Sequence, residues 1–222
     1  MTRRLFGIGT SRTIRPHWLL HELGLPYETR AILPRTEGMQ DPDLLALSQR
    51  GKIPFLQDGD ITLGESGAIL FYLADAYRDR GDFAPERGTA ARARFDDLCC
   101  FILMELDATA LYVLRRHEGL PDEYGAAPTA CEAARGYFQR QVGFLEQTLA
   151  DGRPHLLGEP FSAADILLAS CLAWANHVGI GSSETLERYA AGLRARPAFA
   201  EAFAINFPPG ALEAVQPAST SR

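Results

Sequence analysis

The local pattern of this chain changes once, near residue 89, and that change constrains the fold more than any single motif does. Up to residue 77, short strand patterns alternate with helical ones. From Thr89 onward no strand pattern stands out, and 3.6-residue periodicities run over 90–116, 129–150, 162–178 and 183–203. The segment between, Arg80-Gly81-Asp82-Phe83-Ala84-Pro85-Glu86-Arg87-Gly88, is rich in charge and turn formers. Two domains are therefore predicted, 1–80 and an all-helical 90–209, joined by a linker over 81–89. The Ala/Pro/Ser/Thr-rich stretch 210–222 is expected to be a flexible tail.

Within the first domain, residues 4–8 read as a strand. Residues 14–23 read as a helix with Trp18, Leu19 and Leu20 inward, and 27–33 as a second strand. A short helix is predicted to start at Asp41-Pro42, with Asp as cap and Pro in the first turn. Residues 53–57 and 60–63 flank Asp58-Gly59, a hairpin signal that tolerates positive φ. A helix over 65–77 closes the unit. The order β-α-β, then β-β-α, around one mixed sheet is a thioredoxin-like α/β arrangement, here followed by an all-α domain.

The net charge is −6, with both signs interspersed and no Lys/Arg block. A nucleic-acid surface would be basic, so that class of partner is disfavoured. No run approaches the ~18 apolar residues of a membrane helix. The N-terminus Met1-Thr2-Arg3-Arg4 leads into no long apolar region, so residence in the cytosol is expected. Cys99, Cys100, Cys131 and Cys171 form no Cys-x-x-Cys pair and are expected to be small apolar fillers, Cys99 and Cys100 on different helix faces. His17 and His21 lie one helical turn apart with no third ligand evident; a surface pair is expected there, and no metal site.

Three short stretches carry potential chemistry. Leu63-Gly64-Glu65-Ser66 precedes Ala68, Ile69, Leu70, Tyr72 and Leu73 at helical spacing, which puts Glu65 and Ser66 at a helix N-terminus. Unpaired N–H groups and partial positive charge there suit a carboxylate, although Ser66 by itself also reads as its own helix's cap. About ten residues upstream, Gly51-Lys52-Ile53-Pro54-Phe55-Leu56 holds an X-Pro bond inside an apolar run. That excludes a central ladder and implies a turn or a cis peptide at a strand start. Thr10-Ser11-Arg12-Thr13 opens the first helix, where either Thr10 or Ser11 could cap; Arg12 and Arg15 face either the substrate or only solvent, and solvent is favoured. In the second domain, Phe161-Ser162-Ala163-Ala164-Asp165-Ile166 reads as a capping box with a hydrophobic staple.

The Ile53-Pro54 and Glu65-Ser66 pairs together resemble the glutathione site of the cytosolic glutathione S-transferases. The likeness covers residues 4 to about 207 and extends to the capping box at Ser162. Many members read Asn-Pro-x-Gly-Lys-Val-Pro where this chain reads Ser48-Gln49-Arg50-Gly51-Lys52-Ile53-Pro54. The resemblance implies a backbone clamp from Ile53, a cis bond at Pro54, γ-glutamyl contacts from Glu65 and Ser66, and glycyl-carboxylate contacts from Lys52 and Gln40. Ser11-Arg12-Thr13-Ile14-Arg15-Pro16-His17-Trp18 looks like the Ser-Arg-Ser-x-Arg-x-x-Trp pattern of bacterial and fungal members, which makes Ser11 the thiolate stabiliser; spacing in other serine-type classes selects Thr10. Phe6 has no hydroxyl and residues 9–13 hold no cysteine, so tyrosine-type and cysteine-type mechanisms are disfavoured. The family's second substrate would meet Met104, Ala108, Leu111, Tyr112 and Arg115, a stripe at helical spacing that also reads as core or dimer contact. The resemblance thus implies a homodimeric transferase using glutathione as co-substrate, without metal, on a small hydrophobic electrophile. Glutathione-dependent peroxide or disulfide reduction, or non-catalytic binding of hydrophobic ligands, are the alternatives on the same fold.

Overall fold

Strands β1 (Arg3–Phe6), β2 (Glu28–Arg30), β3 (Phe55–Asp58) and β4 (Ile61–Gly64) form one mixed sheet in the computed structural model, which describes residues 2–211. The order is β2-β1-β3-β4, with β1 parallel to β2 and antiparallel to β3, and β3 antiparallel to β4. Leu5 and Phe6 are adjacent on central β1, so they point to opposite faces, and both are fully buried. The sheet is therefore covered on both sides, as a βαβ crossover requires. The thioredoxin-like order read from the sequence is present.

Two details differ from the sequence reading. β2 is shorter than 27–33 because Ile32 N–H turns back to the Arg30 carbonyl at 2.8 Å, a tight turn that interrupts the ladder. The hairpin sits one residue later than Asp58-Gly59. Asp58 pairs with Ile61, which leaves Gly59-Asp60 as a two-residue loop. Gly59 has φ +60°, positive at the first loop position, where hairpin turns favour glycine. The short helix α2 (Pro42–Leu47) follows a 3₁₀ turn at Glu37–Gln40, and Asp41 caps it, accepting the Leu44 N–H at 3.0 Å.

The chain forms two compact units, residues 2–82 with 195–211, and residues 83–194. The first holds the sheet, α1 (Ile14–Glu22), α2, α3 (Ser66–Ala76) and, from the far end of the sequence, α10 (Pro197–Asn206). By packing, residues 195–211 group with the first unit, whereas the sequence reading placed them in the domain 90–209. The single periodic stretch 183–203 is in fact two helices, α9 (Glu184–Arg194) and α10, because Pro197 has no N–H with which to continue a helix. α10 packs on α1: Trp18 meets the Phe199 ring edge-on at 4.8 Å between centroids. Arg196 holds Glu22 through two nitrogens at 2.6 and 2.7 Å.

The second unit contains α4 (Ala90–Phe101), a π-helical stretch (Ile102–Leu111), α5 (Tyr112–His117), α6 (Pro121–Tyr124), α7 (Pro128–Leu149), α8 (Ala163–His177) and α9. The expected linker is partly built in. Phe83 is buried, stacks edge-on against Phe161 at 6.0 Å, and accepts the Ala163 N–H at 2.9 Å. The capping box forms, with Ser162 N–H donating to Asp165 at 2.8 Å. Cys99, Cys131 and Cys171 are buried; Cys100, next to Cys99 on α4, is exposed. No helix among the described residues is long and apolar enough to cross a membrane. The predicted flexible tail lies, from residue 212 on, outside the described residues.

Candidate functional site

Ser66 is the first residue of α3, and Glu65, at the N-cap position, makes no side-chain capping bond. The capping reading of Ser66 therefore does not hold. The first backbone bond of the helix runs from Ile69 N–H to the Glu65 carbonyl at 3.0 Å, so the N–H groups of residues 66–68 precede the ladder. The Ser66 Oγ accepts from Arg15 Nη1 at 3.0 Å. A guanidinium can only donate, so this bond uses an oxygen lone pair and leaves the Ser66 O–H proton available for an acceptor. Serine and arginine are both buried, Arg15 fully. A hydroxyl, a guanidinium and a helix N-terminus thus converge on one place suited to a carboxylate.

Arg15 corrects the expectation that it faces solvent. α1 is buried from Ile14 through Leu20, all round its first two turns, so helical spacing could not separate an inner from an outer face. No local sequence signal marks Arg15, whose neighbours Ile14, Pro16, His17 and Trp18 mix apolar and polar types. His17 corrects a second expectation, since it is fully buried and not part of a surface pair. Its Nε2 lies 3.0 Å from the Gly7 carbonyl and its Nδ1 2.7 Å from the Tyr27 hydroxyl. A carbonyl only accepts, so Nε2 carries the proton and Nδ1 accepts from Tyr27. Burial pushes the His17 pKa down to about 4 and that of Tyr27 up to about 12. No group of three or more His, Cys, Asp or Glu able to hold a metal occurs among the described residues.

The Ile53-Pro54 bond is cis. The ladder of β3 begins at Phe55, opposite Phe6 and Gly64, so the Ile53 peptide stands just outside the sheet pairing. The Ile53 side chain packs inward on the cluster of Phe6, Ile32, Leu44 and Phe55. Gly7 has φ +110°, and a Cβ there would stand 2.6 Å from Ile53 Cβ and 3.1 Å from Thr13 Cγ2. Only glycine permits this approach, which brings the β1–α1 segment against Ile53. Register places Gly64 beside Phe55, and Arg50 Nη1 meets Glu65 Oε1 at 3.0 Å. Glu65 itself has φ +64°, a strained conformation for a residue with a Cβ. The structure therefore brings Ile53, Pro54, Glu65, Ser66 and residues 7–13 together. Lys52 directly precedes Ile53, and Gln40 ends the 3₁₀ turn; both side chains are exposed.

The two candidate hydroxyls differ in what they already do. Thr10 Oγ1 accepts the N–H groups of Thr13 at 3.0 Å and Arg12 at 3.3 Å. Thr13 gives its own hydroxyl proton to the Thr10 carbonyl at 3.0 Å, so the 2.9 Å contact between the two hydroxyls needs the Thr10 proton. Thr10 is thus fully engaged as the cap of the turn into α1. Ser11, half-buried, has no hydrogen-bond partner among the described residues.

The stripe proposed for the second substrate lies on the π-helical stretch and α5. Met104 and Ala108 are exposed, and Tyr112 and Arg115 are half-buried, with the Arg116 guanidinium 4.8 Å over the Tyr112 ring. Leu111 is withdrawn from that set because it is fully buried. In a π-helix, bonds close from i to i+5, so α-helical spacing misplaces residues around the axis. The buried positions are Ile102, Leu106, Asp107, Ala110 and Leu111, a period longer than 3.6.

Comparison with known proteins bears on this arrangement. Residues 1–75 match the family model "Glutathione S-transferase, N-terminal domain", and residues 103–203 match "Glutathione S-transferase, C-terminal domain". Glutathione S-transferase 1 of Schizosaccharomyces pombe is 30% identical over 166 residues, 72% of this chain and 69% of that protein. Glutathione S-transferase 3 of Zea mays is 38% identical over 91 residues, which span only 40% of this chain and 41% of the maize protein. Among solved structures, a glutathione transferase family member from Pseudomonas fluorescens Pf-5, with two glutathione bound, superposes with a TM-score of 0.78 at 26% identity, covering 93% of both chains.

Proposed function

The chain belongs to the glutathione S-transferase family, and on that premise we propose that it binds glutathione at the Ile53–Ser66 site and adds its thiolate to a small hydrophobic electrophile. The observation that carries this reading is Ser66, whose hydroxyl is backed by buried Arg15 at the start of α3 with its proton available to donate. In the proposed complex the γ-glutamyl carboxylate accepts that proton and the leading N–H groups of α3, next to the Arg15 charge. The Ile53 backbone, outside the sheet ladder, pairs with the cysteinyl unit, and Lys52 and Gln40 meet the glycyl carboxylate. As in the family at large, the active form is taken to be a homodimer.

Mechanism follows from thiol chemistry. The thiolate is the nucleophile, and a free thiol is mostly protonated at neutral pH. A hydroxyl donating to a charged acceptor contributes roughly 1.5–3 kcal/mol, and a helix N-terminus roughly 0.3–2 kcal/mol. At ~1.4 kcal/mol per pH unit, these together lower the thiol pKa by about one to three and a half. Ser11 is the donor, because Thr10 cannot give up its proton without breaking the turn into α1. No covalent nucleophile on the protein is needed.

The test is a titration of the thiolate absorbance of bound glutathione against pH. A depressed pKa in the unmodified protein, raised in Ser11→Ala, supports the reading; an unchanged titration in that variant refutes the role of Ser11. Turnover with an aryl halide, an organic hydroperoxide and a small disulfide, each with glutathione, separates conjugation from reduction. Absence of turnover with all three would favour a non-catalytic binder.

A further inference from the structure

Asn206 ends α10 fully buried, and two of its bonds run to the segment that carries Ser11. Its Nδ2 donates to the Thr10 carbonyl at 3.1 Å, and its own carbonyl accepts the Gly9 N–H at 2.7 Å. Chemistry fixes the orientation of the amide, since a flipped side chain would set Oδ1 against the Thr10 oxygen. Oδ1 is left buried and without a partner among the described residues. A buried acceptor with no donor is unfavourable, so packing alone would select an apolar residue here. What the amide secures is the Thr10 carbonyl. That carbonyl belongs to the peptide unit joining Thr10 to Ser11, which is planar and rigid. The same oxygen also takes the Thr13 hydroxyl at 3.0 Å and the Ile14 N–H at 3.2 Å. With three donors on it, the peptide plane is fixed, and with it the direction in which the Ser11 side chain leaves the backbone.

Resting on the reading of Ser11 given above, we propose that Asn206 is a positioning residue that holds the Thr10–Ser11 peptide so that the Ser11 hydroxyl is aimed at the glutathione sulfur. The two-way link between Asn206 and residues 9 and 10 makes the C-terminus of α10 part of the thiol-activating apparatus. Arg15 and Ser66, assigned to the γ-glutamyl end, are joined through α1 and α3 without passing through α10. Loss of Asn206 therefore separates thiol activation from glutathione binding.

The experiment compares Asn206→Asp, nearly isosteric but without the amide donor, with Asn206→Ala, Ser11→Ala and the double variant N206D/S11A. In each, the thiolate of bound glutathione is titrated, and KM for glutathione and kcat are measured across pH. The expected result is a thiol pKa raised by about one unit in Asn206→Asp, which lowers the thiolate population below that pKa about tenfold. kcat falls in that range and recovers at high pH, while KM for glutathione changes less than about twofold, and adding Asn206→Asp to Ser11→Ala produces no further shift. A shift in Ser11→Ala with none in Asn206→Asp overturns the proposal and leaves the transferase reading standing. A flat titration in Ser11→Ala overturns the role of Ser11, and the proposal with it. Should the Asn206 variants not fold, hydrogen exchange of the Gly9 amide in the unmodified protein decides: protection is expected, and exchange at the rate of an open loop overturns the clamp.

Discussion

His17 is held neutral by its surroundings, and lowering the pH is therefore a direct perturbation of the first unit. The imidazole donates from Nε2 to the Gly7 carbonyl and accepts from Tyr27 at Nδ1. Protonation would put a second N–H against a hydroxyl that is itself 3.2 Å from His21 Nε2, and would place the new charge near His21. Tyr27 stays protonated over the whole accessible range, because burial raises its pKa to about 12. Burial is the largest cause of the fall in the His17 pKa from 6.5 to about 4, with repulsion from His21 adding to it. In the unfolded chain the same group titrates at its ordinary value. Between these two values the unfolded state binds the additional proton, so stability decreases as pH falls through this window. Above about 6.5 the contribution is complete. At ~1.4 kcal/mol per pH unit, the loss amounts to about 3 kcal/mol by the time pH reaches about 4.

The two tryptophans provide a selective assay. Trp18 is next to His17 on α1, and Trp174 lies on α8 in the second unit. In a Trp174→Phe background, urea unfolding followed by fluorescence reports the first unit. Many carboxylates titrate in the same range, so the decisive quantity is the difference between this protein and its His17→Gln variant, whose amide has no comparable pKa. The reasoning predicts that His17→Gln is less stable near neutral pH, and that the gap narrows by about 3 kcal/mol on acidification to about pH 4. Parallel stability curves for the two proteins would refute it.

Ser66→Ala should weaken glutathione binding by roughly 1.5–3 kcal/mol, a hydrogen bond to a charged acceptor, as read by titration calorimetry; unchanged affinity with a lower melting temperature would remove Ser66 from the site. Gly7→Ala should destabilise the first unit by about 2–5 kcal/mol in denaturant unfolding, since it combines a positive φ with a Cβ 2.6 Å from Ile53. A variant as stable as the parent would show that the approach of residues 7 and 53 is not tight. Asp165→Ala should destabilise the second unit by about 3–5 kcal/mol, because it leaves the Leu156 N–H, the Ser162 N–H and the Tyr189 hydroxyl without their buried acceptor. A loss below about 1 kcal/mol would refute that accounting.

What could be read from the sequence was set by contacts close in the chain. Asp41 before Pro42 and Ser162 three residues before Asp165 are caps whose partners lie within one helical turn, and both formed as read. At Ile53-Pro54 the residues left a turn or a cis peptide open and the family resemblance implied the cis bond, while the start of α3 was read one residue early, at 65. Arg15 was not legible, since its partner Ser66 is 51 residues away and its helix has no exposed face in that region from which to judge direction. His17 failed for the same reason, with partners in β1–α1 and in the approach to β2. Leu111 was misplaced by an assumed period of 3.6 where the helix adopts π geometry. A π stretch has no residue signature comparable to a proline or a cap, so spacing could not reveal it.

α10 shows how a break within a periodic stretch hides a contact distant in sequence. Read as the end of an uninterrupted helix, residues 197–206 belong to the helical domain and have no reason to touch the first strand's loop. Pro197 interrupts that helix, and the segment returns to α1, held by Arg196 on Glu22 and by Phe199 on Trp18. The consequence is chemical as well as topological. Glu201 Oε2 lies 2.7 Å from His21 Nδ1, while Asn206, five residues further on, clamps Gly9 and Thr10. The Tyr27 oxygen, whose proton is given to His17, lies 3.2 Å from His21 Nε2 and so links the two imidazoles. One helix therefore touches the β1–α1 segment by two routes: directly through Asn206, and through His21, Tyr27 and His17 to the Gly7 carbonyl. The geometry around Ser11 depends on residues nearly two hundred positions away in the sequence, and a proline just before them determines that they fold back to reach it.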